Sequence, residues 1–293
     1  MADIRIGAAI ATTIVLWASV FAANRAVLPV LAPGHLVVLR FLIASGALAL
    51  AALVRPLPRP ALRDLPAIAG LGLLGITIYQ LALVYGQRTV TAGAASLIIN
   101  SESIWIALLA LPLLGERLTG WGWTGTVASF LGVVLIVVGE GGAVQLSRDA
   151  LLVLLAAWST SVYFVLQKPY LRRYPAFALN AYCIWAGTLL TLPFGVGLPA
   201  AVARTAPQVL AGVAYLGFFP GALAYFTWTY ALARIPASIA GNTLYLIAPL
   251  AIVMAWVWLR EIPAALSLLG GVLILTGVAL VQWRGRPPTP APS

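Results

Sequence analysis

The chain has 293 residues, 62% of them hydrophobic and 8% charged, with a mean hydropathy of +1.02. A soluble domain carries about 25% charged residues, so this composition excludes a soluble globular protein and a disordered one, and the single cysteine, Cys183, excludes an intrachain disulfide scaffold. The net charge of +10 comes almost wholly from arginines scattered between apolar runs, which argues against nucleic-acid binding and for an integral membrane protein.

A bilayer core takes about 20 apolar residues in a helix. Read in chain order, ten runs of that kind appear: 6–27, 34–54, 65–85, 91–113, 120–138, 150–167, 177–198, 209–233, 237–259 and 263–281. The linkers between them are too short for a catalytic or ATP-binding domain. All ten must be helices, because open sheets leave backbone groups unpaired in lipid. The first run has small residues at Ala22, Ala23 and Ala26 that would suit signal cleavage, but its positive region is only Arg5 beside Asp3. It reads better as a span. With the N-terminus inside, eleven Lys and Arg residues fall on the cytoplasmic side and five on the other, so both termini are expected in the cytoplasm.

Shifting the sequence by 145 positions superimposes Tyr85 on Tyr230, Ala92 on Ala237, Ala95 on Ala240, Glu116 on Glu261, Gly125 on Gly270 and Gly132 on Gly277. The chain therefore divides into a first repeat over 1–140 and a second over 141–293, the latter ending in a short Pro-rich cytoplasmic tail. Five spans per repeat is an odd number, so the second copy enters the membrane from the opposite side. The expected fold class is thus an all-α integral membrane protein with ten transmembrane helices in two inverted five-helix repeats. Inverted repeats are the usual construction of secondary transporters, with the substrate between the repeats near midplane. A duplicated bundle without transport is the alternative.

Pro33 followed by Val37-Val38-Leu39-Arg40-Phe41 resembles the second-span signature of the EamA family, in the drug/metabolite transporter superfamily. Leu113-Leu114-Gly115-Glu116-Arg117-Leu118 with Gly125 and Gly132 resembles that family's junction of spans four and five, and Leu259-Arg260-Glu261-Ile262-Pro263 with Gly270, Gly271 and Gly277 is its second copy. Trp17 followed by Arg25 is similar to its first-span pattern. The resemblance covers nearly the whole chain. It implies a bacterial inner-membrane exporter without a cofactor, and within the family the chain is similar to exporters of aromatic amino acids. Another small metabolite or drug is the alternative substrate. One departure stands out: Asn100-Ser101-Glu102-Ser103-Ile104 occupies the part of span four where the family often has a proline, while the second repeat keeps Pro249.

Two charges lie well inside predicted spans, Glu102 roughly 15 Å deep and Arg40 roughly 9 Å deep at 1.5 Å per residue. Intramembrane charges are expensive and face a cavity or a partner. Glu102 can pair with Arg40, bind substrate, or exchange protons in coupling. Other candidates for substrate binding follow helical spacing. They are Trp17 and Asn24 in span one, Tyr79 and Gln80 in span three, Asn100 and Ser103 on the face of Ser96 in span four, and Trp158, Ser161 and Tyr163 in span six. Tyr225 and Trp228 in span eight, and Asn242 and Tyr245 above Pro249 in span nine, complete the set. For each of these alone the simpler role is an interhelical hydrogen bond, worth about 0.6 kcal/mol. Together they suit a planar zwitterion such as an aromatic amino acid.

Gly122, Gly125, Ser129 and Gly132 in span five and Gly270, Gly271 and Gly277 in span ten form small-residue stripes for close packing, as support or as a homodimer contact. Gly70-Leu71-Gly72-Leu73-Leu74-Gly75 matches a dinucleotide fingerprint as a string but opens an apolar span, without the strand that motif requires. With His35 the only histidine, neither a metal site nor an activated nucleophile is supported. The expected partners are a small amino-acid substrate and membrane lipid, without nucleic acid. An intramembrane enzyme would need His, Cys or Asp clusters that the sequence lacks, and a non-transporting scaffold would not need the polar midplane residues.

Overall fold

A computed structural model describes residues 2–90, 92–139, 147–250, 253–254 and 264–285, and all regular structure among them is helical. The elements are α1 (Ala2–Val27), α2 (Pro33–Val54), α3 (Leu65–Gly72), α4 (Tyr79–Gly86), α5 (Ala92–Asn100), α6 (Glu102–Leu114) and α7 (Gly120–Gly139). They continue with α8 (Arg148–Gln167), α9 (Ala176–Thr191), the short α10 (Leu198–Ala203), α11 (Pro207–Leu216), α12 (Ala224–Leu232), α13 (Ala237–Thr243) and α14 (Ala265–Arg284). Eight helical stretches are long and apolar enough to cross a membrane, and two shorter apolar ones, Ile4–Val20 and Ala237–Leu250, occupy the places of spans one and nine. The outer part of span nine, the second glutamate motif at 260–263, the Pro-rich tail and the side chains of Arg25 and Ser96 lie outside the described residues.

Spans three and eight are each interrupted by a π-helical segment, Leu73–Ile78 and Gly217–Leu223. Their last residues, Ile78 and Leu223, are 145 positions apart, the register of the sequence repeat. The physical causes differ. In the second repeat Pro220 has no N–H to give Leu216 O, so the ladder must widen there. In the first repeat a Cβ on Gly75 would lie 2.4 Å from the Tyr163 ring, so only a glycine lets span six press this close. Gly72 and Gly217 repeat the theme, the first against Cys183 O and the second against Arg40 O, at 2.6 and 2.7 Å from a built Cβ.

Span four breaks between α5 and α6. Ser101 folds back on Ile98 O through both its N–H and its Oγ, at 3.1 and 2.6 Å, as serine does when it competes with the helical ladder. Span nine breaks in the corresponding place, where α13 gives way to the tight turn Leu244–Leu246. Broken helices of this kind bring backbone polar groups to a buried site.

The small-residue stripes meet each other inside the chain. A Cβ on Gly125 would lie 2.6 Å from Gly277 O, and one on Gly132 would lie 2.6 Å from Gly270 O. As one number rises the other falls, so α7 and α14 run antiparallel, with Ser129 Oγ 3.4 Å from Ile274 O between the two glycine contacts. These stripes are therefore occupied within the protein rather than free for a second copy. The outward faces carry Val127 and Leu131 on α7 and Leu268, Leu269 and Val272 on α14, all exposed.

At the end of the molecule carrying most of the basic residues, Glu116 joins the halves. Its carboxylate accepts from the N–H groups of Ala237 and Ser238 at 2.9 and 3.0 Å and from Ser238 Oγ at 2.9 Å, and pairs with Lys168 Nζ at 3.1 Å. Lys168 also donates to Ile235 O. The glutamate thus caps the start of α13 from another segment of the chain, where a negative charge is favourable. Nearby, Asp64 accepts from Arg173 Nη1 at 3.1 Å and from Tyr174 OH at 2.8 Å. Burial acts to raise the Glu116 carboxyl, but the Ser238 and Ala237 N–H groups and the Lys168 ammonium outweigh it and hold it below its ordinary value. A carboxyl lowered by folding stabilises the fold above its unfolded titration range and loses that contribution as pH falls through the lowered value. Thermal melts of detergent-solubilised protein should show Glu116→Gln less stable than wild type at neutral pH, by about 1–2 kcal/mol. The gap should close under acid; an equal gap at all pH values would show that the charge is not what matters.

Candidate functional site

The described cavity lies where the broken fourth and ninth spans face the interrupted third and eighth. It is lined by Trp17 and Val20 of α1, Arg40 of α2, Tyr79, Gln80 and Leu83 of α4, Ile99 and Asn100 of α5, and Glu102 of α6. Thr160 and Phe164 of α8, Tyr225 of α12 and Ile247 complete the wall. Its volume is about 40 Å³, room for roughly three waters at ~10–15 Å³ each. An aromatic amino acid is bulkier than that.

Arg40 is 2% exposed, and its position follows from the two π segments. Its Nε donates to Leu216 O at 3.2 Å, the carbonyl at which the second π segment opens. Its Nη1 donates to Gln80 Oε1 at 3.2 Å. Gln80 Nε2 in turn donates to Tyr225 OH at 3.2 Å, and that phenol donates to Gly75 O, also at 3.2 Å. The guanidinium, the amide, the phenol and two π-segment carbonyls form one connected network across spans two, three and eight. A buried charge is tolerable only when it is paired or hydrogen-bonded. Two of the five guanidinium N–H groups are committed by these contacts, and Arg40 also lines the cavity.

Glu102 is also buried, at 5% exposure, and opens α6 directly after the break. Its backbone is held by Ser161, whose Oγ lies 3.1 Å from Glu102 O. The ion pairs among the described residues are Lys168–Glu116 and Arg173–Asp64. Arg40 and Glu102 share the cavity wall but are not within ion-pair distance of each other. The guanidinium instead donates to Leu216 O and Gln80 Oε1.

An aromatic cluster forms the rest of the wall. Trp17 stands edge-on to Tyr225 at 5.4 Å between ring centroids and stacks on Phe164 at 6.0 Å. Trp17 Nε1 donates to Pro220 O at 3.3 Å, another carbonyl of the second π segment. Trp228 lies one layer behind, 4.8 Å from Phe164 and 5.7 Å from Trp17.

Of the residues singled out in the sequence, the structure brings Trp17, Arg40, Tyr79, Gln80, Asn100, Glu102 and Tyr225 to the cavity wall. Others stand behind it. Ser103 Oγ donates to Gly241 O at 2.8 Å and ties span four to span nine. Asn24 Nδ2 donates to Gln87 Oε1, and Asn242 Nδ2 to Thr126 Oγ1, both at 3.3 Å. Tyr163 packs on Gly75, and Tyr245 packs among Val133, Ile136 and Ile274 of α7 and α14. Trp158 points away, 43% exposed. At 3.6 residues per turn it lies almost opposite Thr160, which does reach the cavity together with Phe164 one turn on. Thr160 and Phe164 carry an i, i+4 signal that the sequence reading passed over in favour of neighbouring polar residues. Ile247 was missed although it falls on Glu102 in the 145-residue register.

Residues 5–138 and 148–283 each match the model of the EamA-like transporter family. The chain belongs to that family. It is accordingly a multi-pass membrane transporter built on two copies of the EamA unit. A relative from Streptantibioticus cattleyicolor, described as a "probable terminal-alkyne amino-acid exporter", is 40% identical over 279 residues, covering 94% of this chain and 93% of its own. The uncharacterized transporter YdfC of Bacillus subtilis is 39% identical over 263 residues, covering 90% of this chain and 86% of its own. A solved crystal structure has the same fold, with a TM-score of 0.78 at 20% identity over 94% of this chain and 96% of that one.

Proposed function

We propose that this EamA protein is a secondary transporter that exports amino acids with apolar side chains, aromatic ones foremost, across the bacterial inner membrane by alternating access. The observation that carries the reading is a cavity holding one cation, Arg40, and one carboxylate, Glu102, that are not paired with each other, beside a wall of Trp17, Phe164 and Tyr225. A zwitterion satisfies both charges at once, its carboxylate on the guanidinium and its ammonium on Glu102. Its side chain then lies against aromatic faces.

On this reading ten spans form two inverted repeats, 1–140 and 141–293, with both termini cytoplasmic. Support comes from the antiparallel glycine contacts of α7 and α14, from π segments in the 145-residue register, and from eleven basic residues against five on the two sides. The small cavity volume supports an occluded state, which must widen to one side to take substrate. Export rather than uptake follows the Streptantibioticus cattleyicolor relative. Lipid covers the leucine- and valine-rich outer surface, and a homodimer through spans five and ten would use the outward faces of α7 and α14.

The test is flux in liposomes reconstituted with the purified protein, comparing Phe, Trp, Thr and Lys with and without an imposed pH gradient. Saturable flux of Phe and Trp above Thr and Lys is expected. Dependence on the gradient assigns proton coupling, and independence assigns facilitated export.

A further inference from the structure

The repeat register places Glu102 and Ile247 at equivalent positions, 145 residues apart, and both reach the same cavity. The two halves have diverged there. Every charged or amide side chain on the wall, Arg40, Gln80, Asn100 and Glu102, belongs to the first repeat. The second repeat contributes no charged or amide group, only Thr160, Phe164, Tyr225 and Ile247, while the apolar wall is shared with Trp17, Val20, Leu83 and Ile99 of the first. Ile247 directly follows the turn Leu244–Leu246, as Glu102 directly follows the break at Ser101, so both side chains are presented by the first residue after a helix interruption.

From this asymmetry we infer that substrate binds in one orientation, with its charged end on the first repeat, and that Ile247, contributed by the second, determines which side chains are accepted. The inference rests on the amino-acid export reading and adds an orientation to it. Ile247 is 8% exposed and offers a branched apolar surface in a cavity with almost no spare volume, so one methyl group more or less changes what fits. Discrimination by a methylene in an apolar pocket is worth roughly 10- to 200-fold. Glu102 by contrast meets the ammonium, which every amino acid carries, and cannot rank them.

Counterflow in reconstituted liposomes, with Ala, Val, Leu, Phe and Trp as competing substrates, tests this. Ile247→Ala is expected to raise the preference for Trp over Val about tenfold, Ile247→Phe to reverse it, and Ile247→Val to fall between Ile247→Ala and wild type. Glu102→Gln lowers flux of all five together without changing their order. A change of order within one variant cannot come from poor folding, which scales every substrate alike. If the Ile247 variants transport all five in wild-type proportions, or if Glu102→Gln reorders them and Ile247→Ala does not, the orientation is wrong while amino-acid export stands. Wild-type protein that moves none of the five overturns the export reading itself.

Discussion

Arg40→Met lowers saturable amino-acid flux about a hundredfold, the loss of one charge-assisted carboxylate contact in a buried site. The same change also takes one of two donors from Leu216 O and leaves Gln80 Oε1 without the donor it has in the structure. Each buried acceptor left unpaired costs about 1–3 kcal/mol, so stability must be read separately from flux. Flux per folded protein, with folding checked by size-exclusion in detergent, separates the two. Arg40→Lys is the informative companion. A lysine keeps the charge but cannot span Leu216 O and Gln80 Oε1 with a planar fork, so it is expected to recover only part of the flux. Full activity in Arg40→Met would remove the guanidinium from substrate recognition and leave it a purely structural brace.

Gly132→Leu breaks the contact between α7 and α14. A Cβ there already lies 2.6 Å from Gly270 O, a backbone atom that no rotamer change can move aside. The helices must separate. Overpacking of this kind costs about 3 kcal/mol, on the order of 10 °C in melting temperature for a chain of this size. Gly270→Leu should behave alike, since its Cβ would lie 2.5 Å from Gly132 O on the other side of the same contact. Gly46→Ala is the control, because a Cβ there meets nothing within 4 Å. Its melting temperature should stay close to wild type. A thermally unchanged Gly132→Leu would mean that α7 and α14 do not pack through their glycines.

Much of this arrangement was legible in the residues before any coordinates. The apolar runs located the helices because lipid leaves no other way to satisfy the backbone. The glycines at 125, 132, 270 and 277 marked a close contact because only small side chains permit one, yet spacing alone did not say whether the partner was a second copy or the other half of the chain. Glu116 stood out as half of a repeated motif, but its role did not, since a carboxylate capping Ala237 and Ser238 from over a hundred residues away leaves no local pattern. Arg40 and Glu102 announced themselves by their charge. Arg40's actual partner did not, because the carbonyl that receives it opens a π segment set up by Pro220 four residues later. Gln80 and Asn100, where polarity and helix face agree, do line the cavity. In span six the helix face decides: Thr160 and Phe164 reach the wall, while Trp158, two residues before Thr160, lies on the exposed side.

The central claim is that the cavity reads both charged ends of an amino acid. Flux of labelled Phe in reconstituted liposomes, challenged with phenethylamine, which lacks the carboxylate, and with phenylpropionate, which lacks the ammonium, tests it most directly. Unlabelled Phe and Trp should compete fully, and neither truncated compound should compete at the same concentration. If either truncated compound competes as well as Phe itself, the paired roles of Arg40 and Glu102 are contradicted.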